Sequence, residues 1–215
     1  MTDASPSQAA DERTSVAVDP RSTALVVVDM QNDFCHARGY YGKAGAGIAD
    51  FQSVIEPVAR MVETARSHAI PVIFTRLTYA LPRGAMEQRH TIKPRRWSTG
   101  GKRLEPETWG VAVVDQMSPQ PGDLLIDKEG YSAFEGTALE ETLHARGIKT
   151  LMIVGVVSYA CVLATAFSAF DKDFDVILVT DAIASWNGRL QRETGDIVDL
   201  LLGAAVPMME IRFVG

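Results

Sequence analysis

Two cysteines, Cys35 and Cys161, are all that the 215 residues contain. One pair makes no disulfide framework, and no CxxC or clustered Cys/His spacing points to zinc. No apolar run reaches the roughly 18 residues that a membrane-spanning helix needs. No GxGxxG follows the first apolar run and no GxxxxGK[ST] occurs, so the two common nucleotide-binding signatures are missing. Excess positive charge is missing as well. Lys and Arg number 21 against 27 Asp and Glu, for a formal net charge of −6. That balance gives no reason to expect nucleic acid or an anionic membrane as a partner. The run Lys93-Pro94-Arg95-Arg96 is too short to reverse it. It reads as a solvated loop or, more sharply, as a cluster for an anionic substrate.

What is present is ordinary for a globular protein: 47% hydrophobic and 22% charged residues. Residues 1–20 are polar and acidic, and the expectation is a flexible leader there, a single domain over 21–215, and a cytoplasmic location. Ala24 to Asp29 is a short apolar run rich in β-branched residues, the signature of a buried parallel strand. Asp50 to His68 has helical spacing. Ile70 to Thr75 reads as a second strand, and Arg76 to Trp109 as a long irregular stretch of the kind that carries function or disorder. Strands are then expected over 122–128, 150–155, 174–180 and 208–213, and helices over 137–146, 159–172 and 192–204. Strand and helix alternate, which predicts an α/β fold in three layers: a central, mostly parallel sheet between helices.

In such sheets ligands collect beyond the carboxyl ends of the strands. One strand ends in Asp29 and another in Lys128, and a third leads through Gly155-Val-Val-Ser-Tyr-Ala to Cys161 at the start of a helix. Singly, each has a plainer reading. Asp29 can cap a turn, Lys128 can sit on the surface, and a lone cysteine is most often a small buried hydrophobe. Jointly they suggest nucleophilic catalysis. A nearby cation and a helix N-terminus lower a thiol pKa, Asp29 can shuttle the proton, and backbone N–H groups can hold an oxyanion.

At these residues the sequence resembles the isochorismatase-like cysteine hydrolase superfamily. The resemblance runs through VVVDMQNDF (Val26 to Phe34), PVIFTR (Pro71 to Arg76), the segment Asp127 to Val156, and the segment Cys161 to Ser185. It implies a Rossmann-like sheet flanked by helices, Asp29 as general acid/base, Lys128 as the lysine, and Cys161 as nucleophile. It also implies a cis peptide at Val156–Val157 and oxyanion donors at the N–H groups of Val157 and Cys161. Where the family usually has Thr-Asp or Thr-Asn after the cis bond, this chain has Ser158-Tyr159; Ser158 keeps the hydroxyl. Nicotinamidases of the superfamily carry an Asp-x-His metal site after the second strand, whereas Thr75 to Tyr79 offers no such ligands. No metal and no cofactor are therefore expected. Isochorismatases proper lack the cysteine.

The segment Ser132 to Thr137 looks most like the N-carbamoylsarcosine amidase, ureidoacrylate and biuret hydrolase branches. The implied activity is hydrolysis of a small linear amide or carbamoyl compound through a thioacyl-enzyme, with release of ammonia. Alternatives are a nicotinamidase- or maleamate-type amidase, or a catalytically silent ligand-binding member. Phe34, Arg76, Tyr131, Phe134, Ser158 and Tyr159 are the candidate substrate-binding residues, with Arg95 and Arg96 as further guanidinium groups for a carboxylate. Tyr40, Tyr79 and Trp97 are possible parts of a pocket wall, and Cys35 is read as structural. The expected partners are the substrate and water, with self-association into a homodimer or homotetramer.

Overall fold

The computed structural model describes residues 15–79 and 103–214. Its centre is a six-stranded sheet. The strands are β2 (Thr23–Val28), β3 (Val72–Leu77), β4 (Leu124–Lys128), β5 (Thr150–Val156), β6 (Asp175–Ala184) and β7 (Gly203–Val206). They lie in the order β4-β3-β2-β5-β6-β7, and every neighbouring pair is parallel. All six residues of β2 are buried, as an apolar, β-branched strand requires when helices cover both faces of its sheet. The edge strand β4 instead alternates between partly buried and exposed along Leu124 to Asp127.

Among the described residues the helices are α1 (Asn32–Cys35), α2 (Tyr40–Lys43), α3 (Ala49–Ser53), α4 (Ile55–Ser67), α5 (Leu139–Ala145), α6 (Leu163–Phe170) and α7 (Gly188–Leu201). Val58, Met61, Val62 and Ala65 form the buried face of α4, at the spacing of one helical stripe. α7 begins where the Asn187 side chain accepts from the N–H groups of Arg189 and Leu190, at 3.1 and 3.2 Å, an ordinary N-cap.

Several boundaries differ from expectation. The helix expected over 50–68 is two helices joined at Val54. The one expected over 192–204 starts at Gly188 and stops at Leu201, and Ala204 belongs to β7. Gly203 opens that strand because a side chain there would meet the Val176 carbonyl. The last strand shortens to β8 (Ile211–Phe213), preceded by a 3-10 turn over Met208–Glu210. It pairs outside the main sheet with β1 (Val16–Val18). Of the segment expected as a leader, residues 1–14 lie outside the described residues, and the rest holds β1. No helix among the described residues is long and apolar enough to cross a membrane.

Candidate active site

The sheet order places β3 on one side of β2 and β5 on the other. A crevice opens at the carboxyl end of a parallel sheet where the connections change direction in this way. Asp29 and Cys161 stand at that point. Asp29 follows β2 directly in a left-handed conformation, φ 51°. Val28 is in register with Gly155, and β5 leads into a π-helical turn, Ser158–Val162, that carries Cys161. The Val156–Val157 peptide is cis. Gly155, at φ 109°, lies so close to the Val28 carbonyl that a side chain would overlap it.

Lys128, at the end of β4, donates from Nζ to Asp29 Oδ2 at 2.8 Å and to the Gly130 carbonyl at 3.1 Å. Both side chains of this ion pair are fully removed from solvent. The other carboxylate oxygen, Oδ1, accepts from Thr75 Oγ1 at 2.7 Å. The Cys161 thiol is buried and within hydrogen-bonding reach of both Asp29 and Lys128. An acid, an amine and a thiol from three strand ends thus meet in one enclosed space.

The thiol is not depressed in this resting arrangement. Burial first, and then the charge of Asp29, push Cys161 up from 9.0 to about 12 against the opposing pull of Lys128. The expectation that a cation and a helix start would lower it does not hold in this arrangement, because the thiol is buried and faces a carboxylate as well as an ammonium. Burial, the largest influence on Lys128, favours its neutral form. Asp29 and Cys161 outweigh it, and the lysine lies above its ordinary value. The resting site therefore holds a protonated thiol beside a lysinium.

Two threonines missed by sequence reasoning secure this geometry. Besides its bond to the carboxylate, Thr75 Oγ1 accepts from the Asp29 N–H at 3.2 Å. Thr165 Oγ1 donates to the Cys161 carbonyl at 2.7 Å and accepts from the Ala133 N–H at 3.0 Å. That contact ties the Ser132–Thr137 segment to the cysteine turn. Thr75 carried a readable signal as the last residue of the second expected strand, although β3 runs on to Leu77. Thr165 carried none beyond helical spacing from Cys161.

The Gln31-Asn32-Asp33 triplet was also passed over. Gln31 Nε2 donates to the Leu77 and Val111 carbonyls, and Gln31 Oε1 accepts from the Leu77 N–H. Asn32 Nδ2 donates to the Trp109 carbonyl. Asp33 accepts from the N–H groups of Tyr40 and Leu104, at 2.9 and 2.6 Å. These bonds hold the 103–114 segment against the start of α1 and leave the buried polar groups satisfied.

The expected substrate contacts divide. Ser158 is fully buried, and its hydroxyl has no hydrogen-bond partner among the described residues. Val156 and Val157 are buried beside it. Tyr159 is partly buried, and burial and then the neighbouring Tyr131 raise its hydroxyl; Tyr131 itself is half exposed. Phe34 stacks on Tyr41 with ring centres 5.0 Å apart, and Tyr41 lies 5.1 Å from Trp186, forming an aromatic wall near the carboxyl ends of β2 and β6.

Two candidates have other partners. Phe134 faces Phe174 at 5.9 Å and the Lys172 ammonium at 5.9 Å. Phe174 precedes β6, and the Phe134 ring packs against it. Arg76 is committed to Asp127, its neighbour across β3 and β4, through bonds of 2.6 and 2.8 Å. Side chains alternate along a strand, so Arg76 and Asp127 point away from the face that Thr75 and Lys128 present to Asp29. Arg95, Arg96 and Trp97 lie outside the described residues.

The family described as the Isochorismatase domain matches residues 23–199. This chain belongs to the isochorismatase family. Within that family it is 33% identical over 177 residues to the ureidoacrylate amidohydrolase RutB of Methylobacterium radiotolerans, covering 78% of this chain and 69% of that protein. It resembles the solved N-carbamoylsarcosine amidase from Thermoplasma acidophilum with a TM-score of 0.69 at 28% identity, over 86% of this chain and 95% of the other. A cysteine hydrolase from Pseudomonas syringae pv. phaseolicola 1448A, 24% identical, shares the fold with a TM-score of 0.77 over 90% of this chain and 92% of that one. Among the described residues no group of three or more His, Cys, Asp or Glu side chains is placed to hold a metal ion.

Proposed function

We propose that this isochorismatase-family protein is a cysteine amidohydrolase that cleaves the C–N bond of a small linear amide or ureido compound and releases ammonia. The observation that carries the proposal is the buried Lys128–Asp29 pair at 2.8 Å with the Cys161 thiol in reach of both. The similar ureidoacrylate amidohydrolase and N-carbamoylsarcosine amidase belong by name to the same class of reaction.

In this reading the Cys161 proton passes to Asp29 as sulfur bonds to the carbonyl carbon. A thiol held near 12 does not ionise by itself at neutral pH, so proton removal and attack are coupled, and the base must touch the nucleophile. The N–H groups of Val157 and Cys161 receive the developing oxyanion. Collapse breaks the C–N bond, and Asp29 returns the proton to the departing ammonia. Water then gives a proton to Asp29 and attacks the thioester. The acid product leaves, and the proton restores the thiol. Lys128 keeps the carboxylate in place throughout and offsets its charge. Ser158, with a buried and unpartnered hydroxyl, is a donor for the substrate amide.

Cys161→Ala is expected to abolish ammonia release from a panel of ureido, maleamic and nicotinic amides while keeping the unfolding free energy within about 1 kcal/mol of wild type. Full activity in that variant would exclude the mechanism. Turnover confined to nicotinic amides would favour the nicotinamidase-type reading, and no turnover by the wild type would favour a silent binding protein. The same reading includes a cytoplasmic homo-oligomer. Exposed Phe167, Phe170 and Leu200 supply apolar surface for association, and sedimentation tests it.

A further inference from the structure

Near the carboxyl ends of the strands, Arg103 sits among three tyrosines. Its guanidinium carbon lies 5.2 Å from the Tyr79 ring centre and 5.9 Å from that of Tyr40, and Nη1 approaches the Tyr41 hydroxyl at 3.5 Å. Its backbone is held on one side by Leu104, which donates to Asp33 Oδ2 at 2.6 Å and accepts from the Tyr79 N–H at 2.9 Å. Leu104 is itself fully buried and in a left-handed conformation, φ 48°. The position of Arg103 is thus fixed by the fold rather than left to a free loop.

A guanidinium carries five N–H donors. The Tyr41 hydroxyl takes one long bond, and among the described residues no carboxylate forms an ion pair with Arg103. Arg66 and Arg76 each have an aspartate partner. Stacking on ring faces fixes the plane of the fork and removes part of its water without neutralising the charge. A fork prepared in this way is suited to bidentate pairing with a planar anion. Its location matches that use. Tyr79 lies two residues beyond the end of β3, at the strand ends where Lys128 meets Asp29. Tyr41 packs on Phe34, which follows Asp29 by five residues.

We propose that Arg103 is the specificity-determining residue that binds a carboxylate on the substrate, so that the preferred compounds are ureido or amide acids rather than neutral amides. This rests on the amidohydrolase reading above. Arg103 touches the acid end of the substrate and takes no part in bond breaking.

The test compares 3-ureidopropionate with propylurea, which share the ureido head and differ in the carboxylate. Ammonia release is measured for wild type, Arg103→Met and Arg103→Lys. The ratio of kcat/KM, acid over neutral, is expected to fall about 10- to 100-fold in Arg103→Met, the range for losing hydrogen bonds to a charged group. The fall is carried by KM for the acid. Arg103→Lys keeps the charge, loses the fork and falls between the two. An unchanged ratio in Arg103→Met overturns the assignment, as does a ratio that falls through kcat alone. A wild type that hydrolyses neither compound removes the ureido reading but not the test. Calorimetric binding of 3-ureidopropionate to Cys161→Ala, with and without Arg103→Met, then decides. Weakening by the same factor supports the carboxylate site. Equal binding, or none with Arg103 present, refutes it.

Discussion

Removing the amine from the Lys128–Asp29 pair tests both the burial of the site and its chemistry. At 2.8 Å two unit charges attract by about 6 kcal/mol with an effective dielectric constant of about 20, and desolvation of the two ions opposes that by several kcal/mol each. The pair is therefore worth little net, whereas either partner alone is a heavy burden. Lys128→Met leaves the Asp29 carboxylate supported by the Thr75 hydroxyl but without a cation, and is expected to cost about 3–5 kcal/mol. Asp29→Asn leaves the ammonium with the Gly130 carbonyl as its remaining acceptor and is expected to cost a similar amount. In the double variant Asp29→Asn/Lys128→Met no charge remains buried. Its stability should return to within about 2 kcal/mol of wild type, far from the sum of the singles. Urea unfolding followed by circular dichroism gives the four stabilities. Ammonia release should be lost in all three variants, so that stability is recovered without activity. Singles that each cost under about 1 kcal/mol and simply add would refute the reasoning, because they describe a solvated pair.

Three further expectations concern other parts of the molecule. Burial, followed by the charge of Asp29, raises both Cys35 and Cys161 from 9.0 to about 12. The folded protein keeps these protons where the unfolded chain releases them, so their contribution to stability is whole below pH 9 and is lost as pH rises toward 12. The slope is up to about 1.4 kcal/mol per pH unit for each thiol. Urea midpoints that stay level across that window contradict it, and Cys35→Ala should shallow the decline. Gly155→Ala drives a methyl group into the Val28 carbonyl at a φ that disfavours side chains; a loss of at least about 3 kcal/mol is expected, and a calorimetric melt near the wild-type temperature would speak against the close approach. Arg76→Ala removes a partly exposed ion pair and should cost under about 1 kcal/mol with KM for an acidic ureido substrate unchanged, whereas a several-fold rise would return Arg76 to the site.

The sheet and the three central residues were legible in the sequence for one reason. β2 and β5 are buried on both faces, so they appear as short apolar runs, and a reactive residue at the end of such a run has a known position. Strand ends that interact with a partner far along the chain were less legible. Nothing local distinguishes Arg76, which pairs with Asp127, from Arg103, which rests on tyrosines. The difference lies in the register of β3 against β4 and in the backbone bond from the Tyr79 N–H to the Leu104 carbonyl. Nothing local shows where the Phe134 ring goes: its neighbours Ala133 and Thr137 serve the cysteine turn or the next helix, while the ring itself turns toward Phe174. The start of α7 was missed although Asn187 is a good cap, because apolar spacing was weighed above the capping residue. β1 and β8 are three residues each, too short for periodicity to register.

The register of β2 against β5, Val28 opposite Gly155, has a consequence for how the molecule fails. Asp29 and Cys161 leave from adjacent strands at the middle of the sheet, where local opening is most costly. Fraying at β4 or β7 leaves their spacing untouched, and only rupture of the central ladder parts them. Separation of Asp29 from Cys161 should therefore coincide with the loss of far-ultraviolet ellipticity, whereas fraying of the β4 edge, which carries Lys128, should silence ammonia release at a lower denaturant concentration.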